Sequence, residues 1–246
     1  MMKTSLPGLI PYRKADKWGF CNSKKEIVIP VKYDKVGSFN ENRVRVKLND
    51  KWGFIDTEGK EITQIKYDDV EDFHIGFARV NFGIKKNDGR VVFSGKWGVI
   101  DLSGKEIIPV QYSEIGDFLD GLFPVKLNEK WGLLNTKAQS VAPIRYDEIG
   151  ELKEDYLPIK EKGKWGFINR KGEKVIPGNF DDVGSFSNGI TYVRLNDWWG
   201  LIDKNGKGVT PIKYDEIGEI RNGLISVKIG DRWGFIDRSG SEYFED

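Results

Sequence analysis

One hexapeptide, Lys51-Trp52-Gly53-Phe54-Ile55-Asp56, constrains this chain more than any other feature, because close variants of it occur seven times. Its Trp-Gly pair falls at Trp18, Trp52, Trp97, Trp131, Trp165, Trp199 and Trp233, with successive spacings of 34, 45, 34, 34, 34 and 34 residues. Seven of the eight Trp residues are committed to the motif. Self-similarity at a fixed period of this length marks a repeat array, in which no unit can bury its apolar face without a neighbour.

Each copy reads as a β-meander. Trp52, Phe54 and Asp56 alternate with Gly53 and Ile55, the period of a strand. Asp56-Thr57-Glu58-Gly59 follows, with counterparts such as Asp101-Leu102-Ser103-Gly104 and Asp203-Lys204-Asn205-Gly206. Asp or Asn bonds back to the backbone and Gly tolerates positive φ, so a tight turn is expected. A second strand, exemplified by Lys105-Glu106-Ile107-Ile108-Pro109, comes next. Its Pro recurs at Pro30, Pro143, Pro177 and Pro211, where it is expected to end the ladder. A linker beginning Tyr33-Asp34, Tyr67-Asp68, Tyr146-Asp147 or Tyr214-Asp215 carries apolar anchors at fixed offsets and has room for a fourth short strand. A strand such as Leu122-Phe123-Pro124-Val125-Lys126 then leads into the next Trp-Gly. Helical periodicity is absent. Each Trp is expected to lie in the core, stacking unit on unit.

The Lys-Trp-Gly-Phe-Ile-Asp pattern, the turn with Gly, Ile-Pro, Tyr-Asp and the closing Gly strand resemble the bacterial WG-repeat proteins over essentially the whole chain. Departures are Lys25 and Ala138 at the turn Gly, Gln64 for Pro and Glu71 for Gly. The resemblance implies a β-rich scaffold and carries no catalytic residues to transfer. The expected fold is all-β: one domain over residues 1–246, built of seven tandem three-stranded antiparallel meanders from about residue 8. A closed, propeller-like ring is slightly preferred to an open β-solenoid, because closure removes exposed ends.

Charge and composition exclude several functions. Lys plus Arg is 39 and Asp plus Glu is 38, a net charge of +1, without the basic block that nucleic-acid binding requires. No window approaches the roughly 20 apolar residues of a membrane-spanning helix. No signal peptide is evident in Met1 to Pro11, and the single Cys21 fits a reducing compartment, so a soluble, cytoplasmic protein is expected. His74 is the only His and has no partner motif for a metal site or a triad. The Asp-x-x-Gly turns lack the alternating acids and bidentate Glu of a calcium loop. Neither catalysis nor a metal or other cofactor is expected.

Function is sought where the repeat breaks its own rule. The longest break is the eleven-residue excess between Trp52 and Trp97, where Asn87-Asp88-Gly89 signals an extra hairpin over about residues 82–94. Phe82, Ile84, Val91 and Phe93, with Lys85 and Lys86, either pack back on the array or meet a partner. The second break is Trp198, which replaces the usual Lys or Arg before Trp199, with Tyr192 on the preceding strand. Exposed aromatics anchor interfaces, and the alternative is packing of the two rings on each other. The expected function is a non-catalytic scaffold that binds another protein. The alternative is a glycan or envelope-polymer binder that uses these rings as stacking platforms.

Overall fold

The computed structural model describes residues 8–88, 90–221 and 223–244. It contains strands and turns, with no helix among the described residues. Seven antiparallel sheets of three or four strands follow one another along the chain. They group into two compact units. The first runs to Gly116 and includes Thr136–Ala138; the second comprises Asp117–Asn135 and the residues from Gln139 onward.

In the first unit, the opening sheet is Ile10–Lys14, Lys17–Cys21 and Ile27–Tyr33 in chain order. The short linker strand Lys35–Val36 belongs to the following sheet, where it pairs with Arg43–Leu48. Asp69–Val70 pairs in the same way with Phe77–Asn87. The second unit repeats this plan, with Glu148–Ile149 on Tyr156–Glu161 and Asp182–Val183 on Ile190–Leu195. The linker thus ends one sequence repeat and opens the next sheet.

The turn after each Trp strand is built locally. The Asp56 Oδ1 accepts the amides of Glu58 and Lys60, each at 2.9 Å, and Gly59 takes φ 81°. Asp101, Asn169 and Asp203 do the same. Lys25 and Ala138, which stand where Gly is expected, are held at φ 65° and 58°, a region that costs an L-residue about 1–2 kcal/mol.

The Gly of Trp-Gly has a steric cause. Trp131 pairs with Tyr146 and Leu133 with Ala142, so the third strand carries two extra residues over Gly132. A Cβ on Gly132 would lie 2.7 Å from the Ile144 side chain, and one on Gly166 would lie 2.6 Å from the Ile176 carbonyl. Only Gly lets this bulge close. The expectation that Pro ends the ladder is corrected here. Pro30, Pro109, Pro143 and Pro177 lie inside the third strands, in the bulged stretch, where a missing amide donor is tolerated. In the second and sixth sheets the third strand makes only isolated bridges, and the buried Thr63 and Thr210 hydroxyls accept the amides of Phe54 and Leu201.

Within each unit the core lies between successive sheets. At these junctions one face of a sheet, carrying the residue two after Trp and the Tyr or its counterpart in the third strand, packs on the opposite face of the next. Phe20, Ile29 and Tyr33 meet Val44, Val46 and Ile55. Phe54 and Tyr67 meet Ala78, Val80 and Ile100. In the second unit Leu133 and Tyr146 meet Leu157, Ile159 and Ile168; Phe167 and Ile176 meet Val193 and Ile202; Leu201 and Tyr214 meet Ile225, Val227 and Ile236. A Phe from the following linker closes several junctions, as with Phe20–Phe39 at 5.0 Å and Phe54–Phe73 at 4.8 Å. Each fully buried side chain of this size contributes about 1.5–3 kcal/mol.

The Trp row is not the centre of this core. Trp18, Trp52, Trp97, Trp131, Trp165 and Trp199 are half-buried at its rim, and Trp233 is 55% exposed. The reason is the strand opposite, which sets a cation over most of the rings. Lys126 lies 5.7 Å from the Trp131 centroid, Lys160 5.5 Å from Trp165 and Arg194 5.5 Å from Trp199. A Trp in that position packs one side and offers the other to a snorkelling cation. The Tyr of Tyr-Asp is the deeper residue: Tyr33, Tyr67, Tyr112, Tyr146 and Tyr214 are all buried.

Candidate functional site

A repeated carboxylate clasp sets the frame from which the irregular features depart. Asp34 accepts from Lys17 of its own repeat and from the Asn49 amide in the hairpin of the next sheet. Asp68 joins Lys51 to the Gly83 amide, Asp147 joins Lys130 to Gly163, and Asp181 joins Lys164 to Asn196. The Lys17 ammonium, seconded by the Asn49 amide, holds the Asp34 carboxyl below the usual carboxylate range. At Asp68 burial pushes the other way, but Lys51 and the Gly83 amide outweigh it.

The extra hairpin grows from one of these clasps. The plain sister hairpin turns at Asn49 and Asp50, both at positive φ, between strands of six residues each. In the third sheet the strands Phe77–Asn87 and Arg90–Asp101 have 11 and 12 residues. They separate from the plain plan at Gly83 and Gly95, where φ is 88° and 74°. Beyond that point Ile84 pairs with Ser94, Lys85 with Phe93 and Lys86 with Val91, with a register shift between Lys85 and Lys86. The result is a two-stranded ribbon.

Phe82 packs back at its root, 4.9 Å from the Tyr67 ring and with Lys66 5.8 Å above it. Ile84 is half-buried and Lys85 exposed. The side chains of Lys86, Val91 and Phe93 lie outside the described residues.

Tyr192 and Trp198 do not form one patch. Tyr192 pairs with Leu201, Arg194 with Trp199 and Leu195 with Trp198, so strand alternation puts Trp198 on the other face from Tyr192. Tyr192 meets Trp199 edge-on instead, at 5.5 Å. It also fills the space that Gly184 leaves, since a Cβ there would lie 2.4 Å from the phenol Cζ. Trp198 is 45% exposed and Tyr192 38%. Beside Tyr192, within the second unit, opens a cavity of about 320 Å³ lined by Ser185, Ser187, Ile190, Thr191, Leu201 and Ile225, among others. Sequence reading missed this cavity. Its signal was Thr191, where sister repeats carry apolar residues such as Val44, Leu157 and Ile225, together with the hydroxyls of Ser185 and Ser187.

No group of three or more His, Cys, Asp or Glu among the described residues is placed to hold a metal ion. Cys21 is buried, and His74 is an exposed loop residue bridged to Phe77. No described helix is long and apolar enough to cross a membrane.

Comparison with known families gives one match, described as a WG containing repeat, over residues 18–52, 52–85, 97–131, 131–165, 165–197 and 199–233. No curated protein sequence matches the chain. Among solved structures, a crystal structure titled as the eukaryotic initiation factor aligns over 96% of this chain and 72% of its own, at 12% identity and a TM-score of 0.41. The Hsv2p structure from Kluyveromyces lactis aligns over 94% and 89%, at 11% identity and a TM-score of 0.36.

Proposed function

This chain belongs to the WG containing repeat family, and from that premise we propose that it is a non-catalytic scaffold that binds another protein through the ribbon of its third sheet. One observation supports the reading. The ribbon adds paired strand on both sides of the usual turn without disturbing the repeat beneath it. The Asp68 clasp and the Tyr67 stacking contact persist at its root. A structured projection on a repetitive base offers a surface that the sister hairpins do not have. Its outer sequence, Lys85-Lys86-Asn87-Asp88-Gly89-Arg90, carries three cations and one acid, which suits a partner with an acidic patch.

The test replaces residues 83–95 by Asn-Asp, the turn of the second sheet. A protein captured by the intact chain and lost by this variant, with both unfolding at the same temperature, is the expected result. Capture by both, or by neither, removes the ribbon from the recognition role.

A second reading rests on the cavity beside Tyr192. Hydroxyls, an exposed phenol ring and an apolar floor are the groups that hold a sugar ring. Binding of a glycan or envelope polymer that disappears in Tyr192→Ala and persists in the ribbon replacement would move the proposed site there.

A further inference from the structure

In three junctions within the units, two aromatic rings close the space between neighbouring sheets. Phe20 meets Phe39 at 5.0 Å, Phe54 meets Phe73 at 4.8 Å and Phe167 meets Phe186 at 5.0 Å. One ring of each pair comes from the strand that carries Trp-Gly, the other from the linker of the next sheet. Between the sixth and seventh sheets the sequence supplies neither ring. Leu201 stands at the place of Phe20, Phe54 and Phe167, and position 220, the counterpart of Phe39, Phe73 and Phe186, is Ile. The linker backbone differs as well. Glu216–Arg221 pairs along Leu224–Ile229 with a register shift between Ile217 and Ile220, whereas the linker strands Lys35–Val36 and Asp182–Val183 have two residues each. The cavity of about 320 Å³ beside Tyr192 opens at this junction, with Ile190 and Leu201 on one side and Ile225 on the other. All of these residues belong to the second unit.

We propose that this cavity binds a small uncharged molecule that has an aromatic ring and a hydrogen-bonding group on the edge of that ring. The ligand ring occupies the place of the ring pair that the sister junctions carry. An apolar cavity of about 150 Å³ is enough to hold benzene, so this one has room for a single substituted ring and not for a polymer. Ile190, Leu201 and Ile225 are aliphatic and buried, and they gain by covering the apolar faces of a ring. None of the described lining residues is charged, so an ion would give up its hydration with no counter-charge to meet it.

The polar end is supplied by the linker of the sixth sheet. Ser185 is half-buried at the cavity wall. The Ser187 Oγ accepts from the Asn188 Nδ2 at 3.1 Å, which leaves the hydroxyl proton for a ligand. No described residue of the ribbon lines the cavity, and a sugar ring is the competing occupant.

Ligand-observed NMR titration of the whole chain with phenol, benzamide, benzoate and methyl glucoside tests this. Phenol and benzamide are expected to compete for one site. Benzoate should bind at least about tenfold more weakly than benzamide, and methyl glucoside should not displace either. Leu201→Phe restores the ring of the sister junctions and should weaken phenol and benzamide at least about tenfold. Ser185→Ala keeps the apolar walls and should weaken benzamide about three- to tenfold. Replacement of residues 83–95 by Asn-Asp should leave both affinities unchanged, so a failure here and a failure of the ribbon reading are separate results. Circular dichroism checks the fold of each variant, and if Leu201→Phe does not fold, Ser185→Ala decides. The proposal is overturned if phenol and benzamide do not bind, if benzoate binds as tightly as benzamide, if methyl glucoside takes the site in their place, or if the deciding variant binds like the original chain.

Discussion

Phe167 and Phe235 sit in the same hexapeptide, at the same place on the same strand, and only one of them is in a core. Phe167 is fully buried, packed against Ile176, Val193 and Ile202 and 5.0 Å from the Phe186 ring. Phe235 is half exposed. The motif therefore specifies a sheet face, and the neighbouring sheet decides whether that face is interior. Stability in such an array belongs to the junctions at least as much as to the units.

The widest test of this contrast is truncation at both positions. Phe167→Ala should cost about 3–5 kcal/mol in urea denaturation, whereas Phe235→Ala should cost less than about 1 kcal/mol in dilute solution. Equal losses would mean that the unit stabilises itself. Gly132→Ala probes the bulge instead of the junction. It should cost about 1–3 kcal/mol, because the Ile144 backbone and side chain must both move; a neutral result would show that the bulge yields.

A smaller effect of opposite sign is expected at the turns. Ala138→Gly should raise stability by about 1 kcal/mol, since Ala138 is held at positive φ, and an unchanged unfolding midpoint would mean that the turn relaxes. The smallest effect is the clasp. Lys130 and the Gly163 amide lower the folded pKa of Asp147. Its contribution is therefore complete above the unfolded carboxylate value and fades as pH falls from there through the lowered folded value. Asp147→Asn should lower the melting temperature slightly at about pH 6, and the two profiles should converge as pH falls to about 2, so that the variant's acid limb is flatter. A parallel drop at every pH would point to packing.

What could be read from the sequence was mostly local. The turn from Asp56 to Lys60 spans five residues, and its hydrogen bonds close within that span, so residue types suffice to name it. The ribbon at Asn87-Asp88-Gly89 was legible for the same reason, and the linker anchors gave the room for the short strand at Lys35–Val36. The depth of the Trp row was not legible. Trp131 is large and apolar, but its rim position follows from Lys126 across the ladder and from the course of the third strand, both outside the motif's own span. The bulge over Gly132 hid for a related reason: the two extra residues show only when Trp131 is matched to Tyr146. The separation of Tyr192 from Trp198 was within reach, since adjacent residues such as Trp198 and Trp199 must point to opposite sides of a strand.

The offset between linker and sheet has a consequence for how such a chain can lengthen. Lys35–Val36 follows one Trp-Gly copy in sequence but hydrogen-bonds into the sheet of the next, and the Asp34 clasp crosses the same boundary. The genetic repeat and the folded sheet are thus out of phase, like bricks laid in running bond. Duplicating any stretch of 34 residues between Trp97 and Trp233, where the period is unbroken, restores one whole sheet, one linker strand and one clasp. Growth by tandem duplication needs no privileged breakpoint, and an unequal crossover between copies rejoins strands that already fit.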